Sequence, residues 1–164
     1  MRLAAVAMVL SLWAVAQQVP AELKPAANEQ LLFEVRGKGE QIYTCTMDGP
    51  QYGWKLKAPE AQLFDKDGKV FGRHFAGPSW EANDGSTVMG KAAANVPAPD
   101  GDSIPWLLVK VVSHKGEGVL SAVTTIQRLN TSGGKAPASG CDANNVGKET
   151  RATYSADYLF YAAK

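Results

Sequence analysis

The sequence predicts an all-β domain, and three observations support that prediction. Apolar and polar residues alternate over short runs, as in Tyr52–Lys57, where Tyr52, Trp54 and Leu56 share one face. Clusters of Gly, Pro, Asn and Asp punctuate these runs. No long helical periodicity follows residue 16. We therefore expect about eight to ten strands in an antiparallel sandwich, with a closed or partly open β-barrel as the alternative.

The first residues have the layout of a secretory signal peptide. Arg2 gives a positive start, Leu3–Leu12 is almost wholly apolar, and a small-residue cleavage motif ends at Ala16. The apolar run is shorter than the roughly 20 residues that a membrane-spanning helix needs. We expect cleavage of residues 1–16, leaving a single domain over 17–164 in the periplasm or outside the cell, with no membrane span.

The first strands are expected to surround a Gly-x-Gly turn. Leu31–Val35 and Gln41–Thr46 are rich in β-branched and aromatic residues, and Gly37–Gly39 between them predicts a hairpin. Tyr52–Lys57 and Ala61–Phe64 follow as two further predicted strands.

Turn signals divide the middle of the chain. Asp65–Gly68 ends in Asp-Gly, a strong hairpin signal, and leads into a strand over Lys69–Phe75. Gly77-Pro78 ends that strand and Asp84-Gly85 makes the next turn, so Trp80-Glu81 is expected on a short connection. Later strands are predicted at Ser86–Val96, Val119–Leu129 and Arg151–Tyr161.

Ile104–Val112 is the most apolar stretch after the signal peptide. Its continuous hydrophobicity predicts a central strand buried on both faces, and Pro105 argues against a helix. We expect Trp106 and Leu108 on one buried face, with Leu107 and Val109 on the other. A long connection rich in Gly, Pro, Ser and Asn, Asn130–Val146, then precedes the last strand.

The cysteine content agrees with an exported protein. Cys45 and Cys141 are the only cysteines, 96 positions apart, and an oxidising compartment favours a structural disulfide between them. A reactive or metal-binding pair is the alternative, but neither cysteine lies in a Cys-x-x-Cys motif.

The 17 basic and 16 acidic residues form no basic patch, so nucleic acid is not expected as a partner. A monomer is expected.

Several blocks, spread in order along the chain, resemble those of one family. They are Gln41–Cys45, Gly77–Glu81 with Asp84–Ser86, Ile104–Leu108, Ile126–Thr131 with Gly133-Gly134, and Tyr154–Tyr158. The chain thereby resembles the domain-of-unknown-function family 3455, secreted proteins of bacteria and fungi. The resemblance implies export but no established activity. Some fungal relatives bear a malate dehydrogenase label, yet no Gly-x-Gly here continues into a dinucleotide fingerprint, so no cofactor is expected.

Candidate functional residues concentrate in Phe71–Gly90. His74 with Glu81 or Asp84 would form a histidine–carboxylate pair, which can act as acid and base or help to hold zinc or copper. The alternative is a half-buried histidine at a strand end. Trp80 beside Glu81 is also typical of a sugar-stacking platform, against the alternative that the indole is core. We expect these four side chains to border one concave, solvent-reachable surface.

Two weaker candidates lie near the long connection. Arg128 and Asn130 beside Gly133-Gly134 would suit an anion-binding loop, with a flexible turn as the alternative. Asn130 also begins a glycosylation sequon that matters only in a eukaryotic host.

Three functional hypotheses follow from these residues. The first is a non-catalytic binding protein of the cell envelope or exterior, with carbohydrate as the candidate ligand. The second is a hydrolytic or metal-dependent enzyme that uses His74 with Glu81 or Asp84. The third is a structural envelope protein with no small-molecule site. No serine lies in a Gly-x-Ser-x-Gly motif, which weakens the hydrolytic hypothesis.

Overall fold

The computed structural model describes residues 18–164, in which eight antiparallel strands form one closed barrel. The strands are β1 (Glu29–Asp48), β2 (Gln51–Phe64), β3 (Val70–Phe75), β4 (Ser79–Ala82), β5 (Thr87–Val96), β6 (Trp106–Lys115), β7 (Thr125–Gly133) and β8 (Glu149–Ala163). A short 3-10 helix, Ala21–Leu23, precedes them. The expected signal peptide, residues 1–16, lies outside the described residues.

Pairing of the first strand with the last closes the sheet. Each strand is antiparallel to the next, and β1 also pairs with β8 from Glu29 opposite Ala163 to Thr44 opposite Glu149. The all-β class and the disulfide are therefore confirmed, and the architecture is the barrel rather than the sandwich. Alternation within strands is the same in both architectures, so the sequence alone did not distinguish them.

The hairpin predicted at Gly37–Gly39 is not formed, because both glycines lie inside the continuous strand β1. A Cβ on Gly37 would lie 2.6 Å from Cε2 of Tyr158, and one on Gly39 would lie 2.1 Å from the carbonyl oxygen of Glu60. The glycines therefore allow neighbouring strands to approach closely and do not turn the chain.

Other boundaries differ more modestly from the predicted ones. The two strands expected within Tyr52–Phe64 are one strand, β2, and the partner strand expected from Val119 begins only at Thr125. Trp80-Glu81 lies in a short strand, β4, and not in a connection. The hairpin at Asp65–Gly68 is confirmed, with the backbone N–H of Lys69 donating to the Asp65 carboxylate at 2.9 Å.

Strand β6 has two buried faces at its start, as its composition predicts. Trp106 and Leu108 pack outside the barrel with Leu23 and Leu129, while Val109 belongs to the interior core. Leu107 is partly buried and packs against that interior core. The outer layer is completed by the N-terminal segment, whose Leu23 carbonyl accepts a hydrogen bond from Nε2 of Gln127 at 2.5 Å.

The long connection between β7 and β8 is fastened to the first two strands. The Cys45–Cys141 disulfide is formed, with the two Cα atoms 5.3 Å apart. The Tyr43 hydroxyl donates to the carbonyl of Gly134 at 2.6 Å, and Nε1 of Trp54 donates to that of Ser139 at 2.9 Å. These contacts hold the connection beside one end of the barrel.

No helix within residues 18–164 combines the length and the hydrophobicity required to span a bilayer.

Candidate functional site

His74 and Trp80 meet inside the barrel. They are direct partners across the β3–β4 pair, and their side chains are only 3% and 2% exposed. Their rings stack with centroids 4.3 Å apart and planes 14° from parallel. The ring of Tyr158, from β8, lies 5.2 Å from that of His74 and edge-on to the indole. Three aromatic side chains from three strands thus form one interior cluster.

The imidazole of His74 is held in its neutral form. Its Nδ1 lies 2.8 Å from the carbonyl oxygen of Ser79, which can only accept, so Nδ1 carries the proton. Burial lowers the pKa of His74 to about 3, against an opposing contribution from this hydrogen bond. At neutral pH the ring therefore offers Nε2 as an acceptor and carries no charge.

Glu81 and Asp84 do not join this cluster. Neighbouring residues of a strand point to opposite faces, so Trp80 points inward and Glu81 outward, where its Oε1 lies 2.9 Å from Nη2 of Arg73. Asp84, in the β4–β5 turn, accepts hydrogen bonds from the Ser86 hydroxyl at 2.6 Å and the Val119 N–H at 2.7 Å. The expected common surface is therefore not formed. A ligand-binding role for either carboxylate stays a prediction.

The carboxylate of Asp84 serves the local structure instead. Hydrogen bonds from the Ser86 hydroxyl, and then from the Val119 N–H, lower the pKa of Asp84. The carboxylate thereby links the β4–β5 turn to the segment between β6 and β7. The other histidine, His114, hydrogen-bonds through Nε2 to the carbonyl of Val123 at 2.7 Å and does not line the cavity described next.

A cavity of about 600 Å³ lies beside the aromatic cluster and opens to solvent, where exposed residues such as Leu56 and Lys91 line it. His74, Trp80 and Tyr158 form part of its wall, together with Gln41 from β1 and Arg128 from β7. Much of the remaining wall is aliphatic, from residues such as Pro59, Leu107 and Val109. The wall of the cavity is thus largely apolar and contains a few polar groups.

Arg128 brings a charged group to the strand face that carries Tyr158 of the aromatic cluster. It lies opposite Tyr158 in the β7–β8 pair and opposite Leu107 in the β6–β7 pair. Its Nε and Nη2 donate to the carbonyl of Pro105 at 3.1 and 2.8 Å. Asn130, by contrast, turns outward and donates to Asp157 at 2.8 Å, so the two residues do not form the anion-binding loop considered above.

Two buried donors in the cavity wall have no partner in the part of the chain that the structure describes. They are Nε2 of Gln41 and Nε1 of Trp80, each on a side chain only 2% exposed. Sequence reasoning did not select Gln41. Its position two residues before Tyr43 on one strand face was the available signal, because residues at this spacing share a face.

Within residues 18–164, no three His, Cys, Asp or Glu side chains lie close enough together to share a metal ion.

Fold and site together define a disulfide-linked, eight-stranded antiparallel barrel with a largely apolar cavity that opens to solvent. The chain belongs to the family described as protein of unknown function (DUF3455), whose sequence model matches residues 25–162. The resemblance noted from the sequence blocks is thereby confirmed. No curated protein and no solved structure matched the chain.

Proposed function

We propose that this protein is a non-catalytic binding protein that holds a small molecule inside its barrel. The observation that carries the proposal is the cavity of about 600 Å³, which falls within the usual range of small-molecule sites. Its wall has the composition of such sites, namely aliphatic and aromatic surface with a few convergent polar groups. The cavity favours this function over that of a purely structural envelope protein.

The arrangement of His74 supports binding more than catalysis. In a Ser-His-Asp triad a carboxylate orients the imidazole and stabilises its charged form, whereas here the partner of Nδ1 is the neutral Ser79 carbonyl. Glu81 pairs with Arg73 on the outer face of β4, away from the imidazole. The depressed pKa of His74 also leaves it a weak base near neutral pH.

Carbohydrate loses the support that the Trp80–Glu81 pair gave it. One face of the Trp80 indole is covered by His74, and Glu81 is on the opposite side of the sheet. The cavity wall contains no carboxylate to accept hydrogen bonds from sugar hydroxyls. An apolar ligand body suits this wall better, and sugars serve as the comparison ligands in the test.

We also propose that the protein acts as a monomer in the periplasm or outside the cell. Residues 1–16 have the composition of an export signal, and a disulfide persists best in an oxidising compartment. N-terminal sequencing of protein recovered from cell fractions tests export, with Gln17 as the expected first residue. Light scattering of the purified protein tests the monomer.

The binding proposal is tested with a neutral fluorophore, N-phenylnaphthylamine, which brightens on entering an apolar site. Ala92→Phe places a ring in the cavity wall, whereas Ala93→Phe changes the next residue, which does not line the cavity. We expect the wild type and Ala93→Phe to bind the probe, and Ala92→Phe to lose at least tenfold in affinity. Equal binding by the two variants would locate the probe elsewhere and overturn the proposal. Simple sugars added as competitors should not displace the probe.

A further inference from the structure

The guanidinium of Arg128 is a partly buried positive charge with no anion to balance it. No carboxylate lies within 4 Å of it among the described residues, where the ion pairs involve other arginines and lysines. Its neighbours are the Pro105 carbonyl and the Tyr158 hydroxyl, both neutral at physiological pH. A cation removed from water and paired only with neutral groups is costly, and an anion beside it would lower that cost.

The charged residues in the rest of the cavity wall also favour an anionic ligand. It contains three basic side chains, Lys57, Lys91 and Arg128, and no acidic one. Lys57 is paired with Glu149, while Lys91 has no carboxylate within 4 Å in the described part of the chain. Both lysines are exposed and border the cavity, but only Lys91 brings a charge that no carboxylate of the described residues balances, and that charge attracts anions from solution.

The unpartnered donors of the wall also call for an acceptor. Nε2 of Gln41 and Nε1 of Trp80 are both buried N–H groups, and each such group is destabilising until it meets an acceptor. A ligand oxygen atom would supply one. These two donors lack acceptors, and Arg128, which already donates to the Pro105 carbonyl, adds a positive charge beside them.

Shape and composition define the remainder of the ligand. Pro59, Leu107 and Val109 present aliphatic surface, and His74 and Trp80 contribute aromatic side chains to the same wall. A polyanion such as a nucleotide would leave most of its charge against this apolar wall. A single anionic group on an apolar body satisfies both parts of the cavity.

Building on the proposed function, we propose that the cavity binds a small organic acid with an apolar body, its carboxylate on Arg128. Nε and Nη2 of Arg128 already donate to the Pro105 carbonyl, so the carboxylate would meet the remaining N–H groups on Nη1 and Nη2. Hydrogen bonds between a guanidinium and a carboxylate are stronger than those from neutral donors. The ligand body then lies against the aliphatic wall, within reach of the aromatic cluster.

The test compares naphthoate with naphthamide, which have the same ring system and differ in charge. Calorimetric titration of the wild-type protein should show naphthoate binding about ten- to a hundredfold more tightly, the usual gain from a charge-assisted hydrogen bond. Arg128→Gln should remove this preference, and Arg128→Lys should retain part of it. Arg73→Gln, on the outer face, is the matched control and should keep the full preference.

The outcomes separate this inference from the proposal on which it rests. Equal affinity of the wild type for the two compounds would overturn the organic-acid inference and leave the binding cavity intact. If N-phenylnaphthylamine binds but neither naphthoate nor naphthamide does, the organic-acid inference is again overturned and the binding cavity stands. If none of the three binds, both proposals fall. The comparison of naphthoate with naphthamide on the wild type decides whether the cavity prefers an organic acid, even if Arg128→Gln does not fold. Arg128→Lys then tests the role of the guanidinium.

Discussion

The imidazole of His74 lies almost parallel to the indole of Trp80, with ring centroids 4.3 Å apart. Their pairing joins β3 to β4 from inside the barrel, and Tyr158 packs against both rings from β8. Residues that the sequence suggested as recognition groups are therefore also part of the packed interior. Their effects on stability and on binding must be separated by experiment.

Replacing Trp80 should destabilise the fold strongly. The side chain is 2% exposed and belongs to the interior core, so Trp80→Ala is expected to cost about 3–5 kcal/mol. Glu81→Ala removes only an ion pair with the exposed Arg73 and should cost at most about 1 kcal/mol. Urea unfolding of the two variants measures this difference. An unchanged unfolding midpoint for Trp80→Ala would mean that the indole is not part of the core.

Acid should destabilise the protein through His74. Its pKa is about 3 in the folded state, below the ordinary value of 6.5, so between these values the unfolded state binds a proton that the folded state does not. The stabilising contribution is complete above pH 6.5 and falls with decreasing pH, by up to about 1.4 kcal/mol per pH unit.

The variant His74→Gln isolates this contribution, since glutamine can still donate to the Ser79 carbonyl but does not titrate. It should be less stable than the wild type at neutral pH and show a shallower loss of stability on acidification. Urea midpoints measured across this pH range give both slopes. Parallel slopes for the two proteins would contradict a buried, neutral imidazole.

The parts of the fold that the sequence predicts correctly depend on local patterns. Alternation in Tyr154–Tyr158 and continuous hydrophobicity around Leu108 report directly on which faces of a strand are buried. The pairing of Cys45 with Cys141 followed from their being the only two cysteines. Each of these signals is contained in a few residues or in a simple count.

The parts that the sequence does not predict depend on distant neighbours. Gly39 belongs to a Gly-x-Gly pattern that is typical of a turn. It lies instead in a strand, where the backbone of Glu60 on the adjacent strand leaves no room for a Cβ. The separation of Trp80 from Glu81 follows from β4 being a strand, and this four-residue segment is a strand because β3 pairs with it on one side and β5 on the other. The sequence suggested Arg128 only as part of a loop with Asn130, and its place in the cavity wall follows from the pairing of β7 with β8, which sets it opposite Tyr158.

Reduction of the disulfide should destabilise the protein considerably. A bond that closes a loop of 96 positions contributes about 4–5 kcal/mol in the chain-entropy description. We expect the double variant Cys45→Ala, Cys141→Ala to show a loss of this order in urea unfolding. Thiol titration of the unfolded, non-reduced wild type should detect no free thiol, and two reactive thiols would contradict the bond.

The outer buried face of β6 can be tested with two substitutions in this strand. Leu108 and Val112 lie on the same strand, but Leu108 is 8% exposed in the outer cluster and Val112 is 58% exposed. Leu108→Ala should cost about 2–5 kcal/mol, whereas Val112→Ala should change stability by about 0.5 kcal/mol or less. Similar losses for the two variants would show that the outer layer is not a true core.

The glycines of β1 and β2 provide the sharpest contrast in the barrel. A Cβ on Gly39 would lie 2.1 Å from the Glu60 carbonyl oxygen and 2.5 Å from Cα of Ala61, so β1 and β2 must separate to admit it. Gly53, in β2, has nothing within 4 Å of its Cβ position. Gly39→Ala should therefore be strongly destabilising, by several kcal/mol or to the point of misfolding, because the obstruction is backbone and does not rotate away.

Gly53→Ala is the matched control, and it should leave stability unchanged or raise it by up to about 1 kcal/mol, because alanine restricts the unfolded chain more than glycine does. Thermal unfolding of the two variants, with circular dichroism to monitor the sheet, compares them directly. If Gly39→Ala melts together with Gly53→Ala, then β1 and β2 are not packed closely at this point. That result would indicate that the chain turns at Gly37–Gly39, as the Gly-x-Gly pattern predicts, and that β1 is not one continuous strand.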